Sequence, residues 1–170
     1  FWMRRRIAKC GMRPINAIVD VTNYIMLELG QPLHAFDYAL LTGQRIEVKV
    51  AERETTFRSL DGVDRRLDAG DLLICDGSGP VAIAGIMGGE NSEIRETTKD
   101  VALESAFFNP YYIRRTARRL GIKSEASLRF EKGIDISTTG LAAERAVELI
   151  ASLTGGTLVG GKREVSEPTV

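Results

Sequence analysis

Few side chains in this sequence can do chemistry, and they are scattered along it. His34 is the only imidazole and sits in P-L-H-A-F-D, shortly after the helix-ending Gly30. With an unperturbed pKa of about 6.5 it can accept or relay a proton near neutrality. Irregular backbone after a helix end would present it into a cleft; the plainer reading is a histidine hydrogen-bonded at a turn. Glu104 follows the apolar run Val101-Ala102-Leu103. Strand alternation turns it away from the face Leu103 occupies, toward solvent or a pocket lining. Among apolar neighbours a carboxylate needs a donor, and either a substrate hydroxyl or a nearby arginine would serve. The stretch Gly85-Ile86-Met87-Gly88-Gly89 lets backbone approach a ligand closely or marks a turn, but matches neither a Walker phosphate loop nor a dinucleotide fingerprint. No catalytic triad can be drawn.

Arg114, Arg115, Arg118 and Arg119 share one expected helix that opens at Asn109-Pro110 and stops at Gly121. With Ile113, Ala117 and Leu120 as its core stripe, the arginines occupy the remaining circumference. They are either a solvated face or a phosphate-binding one. Tyr111 and Tyr112 open the same helix without amounting to a base-stacking platform. Cys10 and Cys75 are too few for a disulfide framework or a Cys-rich zinc site. No metal site is expected, and a reducing cytoplasm fits.

The positioning elements follow from periodicity. Ile18, Val21, Ile25 and Leu29 recur at helical spacing between a capping Asn16 and Gly30, and residues 1–10 read as an earlier helix. Residues 45–50 alternate, and runs 55–60 and 63–67 flank Asp61-Gly62 as a hairpin. Runs 72–76 and 80–85 flank Asp76-Gly77-Ser78-Gly79 as a second, more central hairpin, and 100–106 makes another strand. A polar loop over 123–135 leads to a helix over about 137–154 and a final strand over 157–165. This order predicts an α+β fold, with a mixed, strongly twisted or closed β-sheet and helices packed outside it. The 170 residues fit one domain or two small subdomains. With 44% hydrophobic and 27% charged residues, the composition excludes disorder and a membrane span. Equal totals of 23 basic and 23 acidic residues exclude a globally basic nucleic-acid binder.

Three segments carry a family resemblance. R-P-I-N-A-I-V-D-V-T-N-Y-I-M-L-E-L-G-Q-P-L-H-A-F-D from Arg13 to Asp37, G-I-M-G-G-E-N-S-E from Gly85, and I-R-R-T-A-R-R-L-G-I-K-S-E-A-S-L-R-F-E-K-G-I-D from Ile113 together resemble the beta subunit of bacterial phenylalanyl-tRNA synthetase. The likeness spans nearly the whole chain and corresponds to that subunit's internal editing domain. Residues 1–170, beginning at Phe1, therefore read as a single editing domain excised from a longer beta subunit, or as two intimately packed subdomains. The resemblance implies post-transfer editing, the hydrolysis of tyrosine misacylated onto phenylalanine tRNA. The competing expectation is a noncatalytic RNA-binding or scaffold module of the same synthetase.

Carried over by the resemblance, His34, Thr22 and Asn23 are the catalytic candidates, orienting the ester, the terminal ribose or the attacking water. Glu104, Gly85, Gly88 and Ala126 are the substrate-binding candidates, with Glu104 meeting the tyrosine hydroxyl. Arg114, Arg115, Arg118 and Arg119 are the RNA-binding candidates. The implied partners are phenylalanine tRNA, the alpha subunit, the remaining beta-subunit domains and tyrosine as editing ligand, with no membrane. No cofactor is expected in this fragment; ATP and magnesium belong to the parent enzyme's synthetic step. Because Thr22 and Asn23 fall mid-helix beside the core stripe, a break in that helix is expected.

Overall fold

Asn16 begins the second helix as its spacing requires, accepting a hydrogen bond from Val19 N at 2.9 Å, and Gly30 ends it in the left-handed region at φ 74°. The computed structural model describes residues 2–166, and Phe1 of the expected first helix lies outside them. Its elements run α1 (Trp2–Lys9), α2 (Ala17–Leu29), β1 (Leu33–Asp37), β2 (Glu47–Val50), β3 (Thr55–Arg58), β4 (Asp64–Leu67), β5 (Leu72–Cys75), β6 (Pro80–Ile83), β7 (Met87–Gly88), β8 (Val101–Ser105), α3 (Pro110–Leu120), α4 (Glu125–Phe130) and α5 (Thr138–Thr154). Among the described residues no helix is long and apolar enough to cross a membrane.

The α+β class is as expected, but the strands do not form one mixed sheet. Every pairing is antiparallel, and the strands divide into a four-stranded sheet ordered β2-β5-β6-β7 and two ribbons, β3-β4 and β1-β8. No barrel closes. The connections explain this, because the hairpins at 61–62 and 76–79 favour antiparallel neighbours, and no helix crosses over between sheet strands.

Two apolar cores result. One gathers Phe36, Phe57, Leu67, Ile74, Ile83, Phe108, Ile113 and Phe130 under the sheets, α3 and α4. The other gathers Met3, Ile7, Val21, Ile25, Ala142 and Ala146 between α1, α2 and α5. The β1–β8 ribbon runs between them. Phe36 and Ala102 pack into the first, whereas Leu33 and Leu103 pack against the second.

Two further expectations are corrected. Residues 157–165 form no strand; they are exposed coil in a segment whose Gly155, Gly156, Gly160 and Gly161 weaken an extended pairing. The loop expected over 123–135 contains α4, started by a reciprocal cap between Ser124 and Ser127 and anchored by buried Phe130. Serine at the third helical position in place of Glu or Gln hides that start from the usual signature.

Candidate active site

His34 lies on β1, not on irregular backbone after a helix end, and the reason is local. Pro32 biases Gln31 toward an extended conformation, and the Gln31 amide, buried entirely, donates to Ala106 O at 2.9 Å and Pro32 O at 3.0 Å. That amide ties the start of β1 to the end of β8. At the other end, Tyr38 N donates to Asp100 O at 2.9 Å, and Thr98 Oγ1 donates to the Asp37 carboxylate at 2.6 Å. Ser105 Oγ donates to Thr139 O at 2.7 Å and fixes β8 on α5. With both ends clamped the register has no slack, and it sets His34 directly opposite Glu104. Opposed side chains in an antiparallel pair share a face, with Cβ atoms about 4.5–5.5 Å apart. The single imidazole and the apolar-flanked carboxylate are therefore neighbours.

Their surroundings shift both groups. Burial pushes the Glu104 carboxyl up to about 7 and lowers the His34 imidazole to about 4, since a low-dielectric setting disfavours whichever form is charged. Both residues keep some accessible surface, but Glu104 Oε2 is enclosed and has no hydrogen-bond partner in the protein. No hydrogen bond joins the two side chains among the described residues. Instead the His34 ring meets Phe36 edge-to-face at 4.5 Å between centroids. At neutral pH the site therefore holds an uncharged imidazole beside a carboxyl that can accept or donate, with one oxygen awaiting a partner.

Gly88 closes the imidazole side. A Cβ at that position would lie 2.6 Å from His34 Cε1, 2.8 Å from Nε2 and 2.8 Å from Leu60 Cδ1. Only a hydrogen fits there. Gly88→Ala is expected to cost about 1–3 kcal/mol in stability through overpacking and to move the ring resonances of His34, which are unambiguous because the chain has one histidine. Unchanged ring shifts in the proton NMR spectrum would show that the contact is not made.

The remaining candidates fall into separate places. Gly85, at φ 65°, faces the first core, where a Cβ would meet Phe130 Cδ2 at 2.9 Å, Phe108 Cδ2 at 3.0 Å and Ile113 Cδ1 at 3.1 Å. Ala126 packs on that same core from α4, and the Ser124 hydroxyl ahead of it donates to Ile86 O at 2.7 Å, pinning α4 to the glycine stretch. Thr22 and Asn23 sit on α2, which packs beside β1. The expected break is absent: α2 runs unbroken, because the buried Thr22 hydroxyl is satisfied by Val19 O at 2.9 Å within the helix. Neither residue hydrogen-bonds to His34.

The arginines of α3 mostly have partners inside the molecule. Asp71, 1% exposed, accepts from Thr116 Oγ1 at 2.8 Å and pairs with Arg119 and, at 3.8 Å, with Arg115. Arg119 also reaches Asp68 at 3.3 Å, and Arg114 donates to Glu131 O. Arg118 has no partner among the described residues. Three buried or half-buried contacts thus fasten α3 to the turn before β5, something the spacing of the arginines alone did not reveal. A glycine-aspartate pair at 70–71 after a strand was the available signal.

Two open clefts lie elsewhere. One of about 580 Å³ is bounded by Gly30, Leu128, Lys132 and Thr138, and one of about 390 Å³ by Arg58, Asn91 and Arg95. Neither includes His34 or Glu104. The enclosed, unpartnered carboxyl oxygen is the better marker of chemistry than open volume, because a buried polar atom without a partner is destabilising unless a ligand completes it.

Residues 1–155 match the B3/4 domain family. The chain is 55% identical over 160 residues to the phenylalanine-tRNA ligase beta subunit of Geobacter sulfurreducens, covering 94% of this chain and 20% of that protein. It is 56% identical over 157 residues to the beta subunit of Oleidesulfovibrio alaskensis, covering 92% and 20%. To that of Porphyromonas gingivalis it is 50% identical over 168 residues, covering 98% and 20%. The chain thus spans about a fifth of the length of the curated relatives it matches.

Proposed function

The chain belongs to the B3/4 domain family, and from that premise we propose that it is the proofreading part of a phenylalanine-tRNA ligase beta subunit, hydrolysing tyrosine wrongly esterified to phenylalanine tRNA. The observation that carries the reading is the His34–Glu104 pair, an uncharged imidazole facing a carboxyl whose enclosed oxygen has no partner. Tyrosine differs from phenylalanine by one hydroxyl, and an apolar synthetic pocket rejects such an analogue only about a hundredfold. A second pocket that hydrogen-bonds the hydroxyl reverses the preference, because phenylalanine leaves its polar group buried and unsatisfied.

In the reaction a water oxygen bonds to the ester carbonyl carbon while the bond to the ribose oxygen breaks. One water proton ends on the departing ribose hydroxyl, releasing tyrosine and tRNA. A base with a pKa near 4 is always free at pH 7 but holds a proton weakly. We therefore assign His34 to orient the water and ester through hydrogen bonds, with any proton passing onward to the ribose. Gly85 and Ala126 keep room for the ring, Gly88 lets the imidazole approach, and Thr22 and Asn23 line the approach from α2. Phenylalanine tRNA and the alpha subunit are the partners this reading requires. Arg118, the one of the four α3 arginines without a partner among the described residues, is the one we assign to meet a phosphate.

Deacylation of tyrosylated phenylalanine tRNA by the assembled ligase tests it. His34→Ala is expected to lower the rate about 10- to 100-fold, with binding of the tRNA retained. A rate within threefold of wild type would remove His34 from the chemistry.

A further inference from the structure

Leu60 occupies the tip of the β3–β4 hairpin, in the turn sequence S-L-D-G-V-D. Its neighbours in the turn are polar or glycine apart from Val63, yet this large apolar side chain is not turned into the core; it remains 36% exposed. It is also not free. Leu60 N donates to Gly88 O at 3.0 Å, and Ser59 bridges Gly89, so the tip is stitched to the strand that backs the imidazole. The tip is stiffened from within: buried Ser59 Oγ contacts Asp61 at 2.6 Å and accepts from Arg65 Nε at 2.8 Å, while Arg65 also pairs with Asp61. A Cβ on Gly88 would touch Leu60 Cδ1 and His34 Nε2 at the same distance, 2.8 Å. The leucine methyl and the reactive edge of the imidazole therefore converge on one point above Gly88.

We infer that Leu60 is a substrate-contacting residue, an apolar wall at the ester end of the site that sets how the aminoacyl group lies against His34. A polar or mobile tip would let the ester pivot and water enter from several directions. A clamped methyl group beside Nε2 leaves one line of approach, and near-attack placement of this kind is where positioning residues contribute rate. The inference rests on the hydrolytic reading proposed above and adds to it a residue from a third element, outside the β1–β8 ribbon and the glycine stretch.

The test is deacylation of tyrosylated phenylalanine tRNA by the assembled ligase carrying Leu60→Ala, Leu60→Met, Leu60→Trp or, as a control on the same hairpin, Val63→Ala. Expected are a kcat lowered about tenfold in Leu60→Ala with KM changed less than threefold, recovery to within threefold in Leu60→Met, and a loss of at least a hundredfold in Leu60→Trp, whose ring fills the approach. Val63→Ala should stay within twofold. Melting temperatures within 2 °C across the set separate a local effect from a structural one. If the wild-type ligase hydrolyses the ester and all Leu60 variants match it within twofold, Leu60 is not at the site and the hydrolytic reading stands. Equal losses in Val63→Ala and Leu60→Ala would reduce the role to hairpin integrity. If the wild-type ligase does not hydrolyse the ester, both inferences fall together.

Discussion

Glu104→Ala, introduced into the assembled ligase, is expected to reduce the preference for tyrosyl over phenylalanyl ester about 10- to 100-fold, with most of the change in hydrolysis of the tyrosyl substrate. The magnitude follows from the roughly 1–3 kcal/mol that separates a buried polar group with a partner from one without. In the protein as it stands, Glu104 Oε2 is enclosed and unpartnered. A phenol placed against it completes a bond, whereas a phenyl ring leaves the deficit in place, so discrimination arises from the unfavourable state of the site without the hydroxyl. Because burial raises the carboxyl to about 7, acid and carboxylate coexist at neutral pH. The phenol can accept from the acid and donate to the carboxylate, the stronger of the two bonds, so the preference persists on both sides of neutrality and rises with pH between 6 and 8. Comparing initial hydrolysis rates of the two esters at several pH values checks both statements. A preserved ratio in Glu104→Ala would move selection to another residue.

The second large effect is on stability and needs no substrate. As pH falls below 6.5 an unfolded chain takes up a proton on His34 that the folded chain refuses until about 4, so this group removes stability as pH falls through that window. Glu104 works in the opposite sense. The unfolded chain releases its proton near 4.5, while the folded chain keeps it until about 7, so stability is lost as pH rises through that range. Between about 4.5 and 6.5 the two proton differences cancel. An unfolded charged pair becomes a folded neutral pair with no net uptake, and wild-type stability is indifferent to pH as far as these groups are concerned.

Removing one member exposes the other. On its own curve His34→Ala, which keeps Glu104, should lose about 3 kcal/mol as pH rises from 4.5 to 7, and Glu104→Gln, which keeps His34, should gain about 3 kcal/mol as pH rises from 4 to 6.5. The double variant should run parallel to wild type. Urea unfolding at stepped pH measures this, and single-variant curves parallel to wild type would mean that neither group is buried as described.

How much of this was legible before the structure depends on whether the governing contacts are local. α2 was readable because Asn16, the Ile18/Val21/Ile25/Leu29 spacing and Gly30 all act within one helix. The central hairpin was readable from Asp76-Gly77-Ser78-Gly79, and alternation did turn Glu104 to the face opposite Leu103. β1 was not, for a physical reason: it lies between two apolar cores, so Leu33 and Phe36 pack on opposite faces and the period-two contrast between buried and exposed sides disappears. Without β1, periodicity could not bring residues 34 and 104 together; only the family resemblance grouped them, and the pairing itself came from the register. The same holds for Leu60, which looked like a strand end, and for the arginines that Asp71 gathers from elsewhere in the chain. The residue types of the candidate site were thus visible, whereas their meeting depended on long-range register.

That register has a consequence for how the site assembles. Among the described residues β1 and β8 are the first and last strands, and the other six follow one another between them in sequence. Joining them closes a long loop, an entropic penalty repaid only when the enclosed strands have collapsed. The imidazole and the carboxyl are consequently strangers in any partly synthesised or partly unfolded chain. The site is therefore complete only when the whole topology is, and on the hydrolytic reading proposed above an immature molecule would not attack esters indiscriminately.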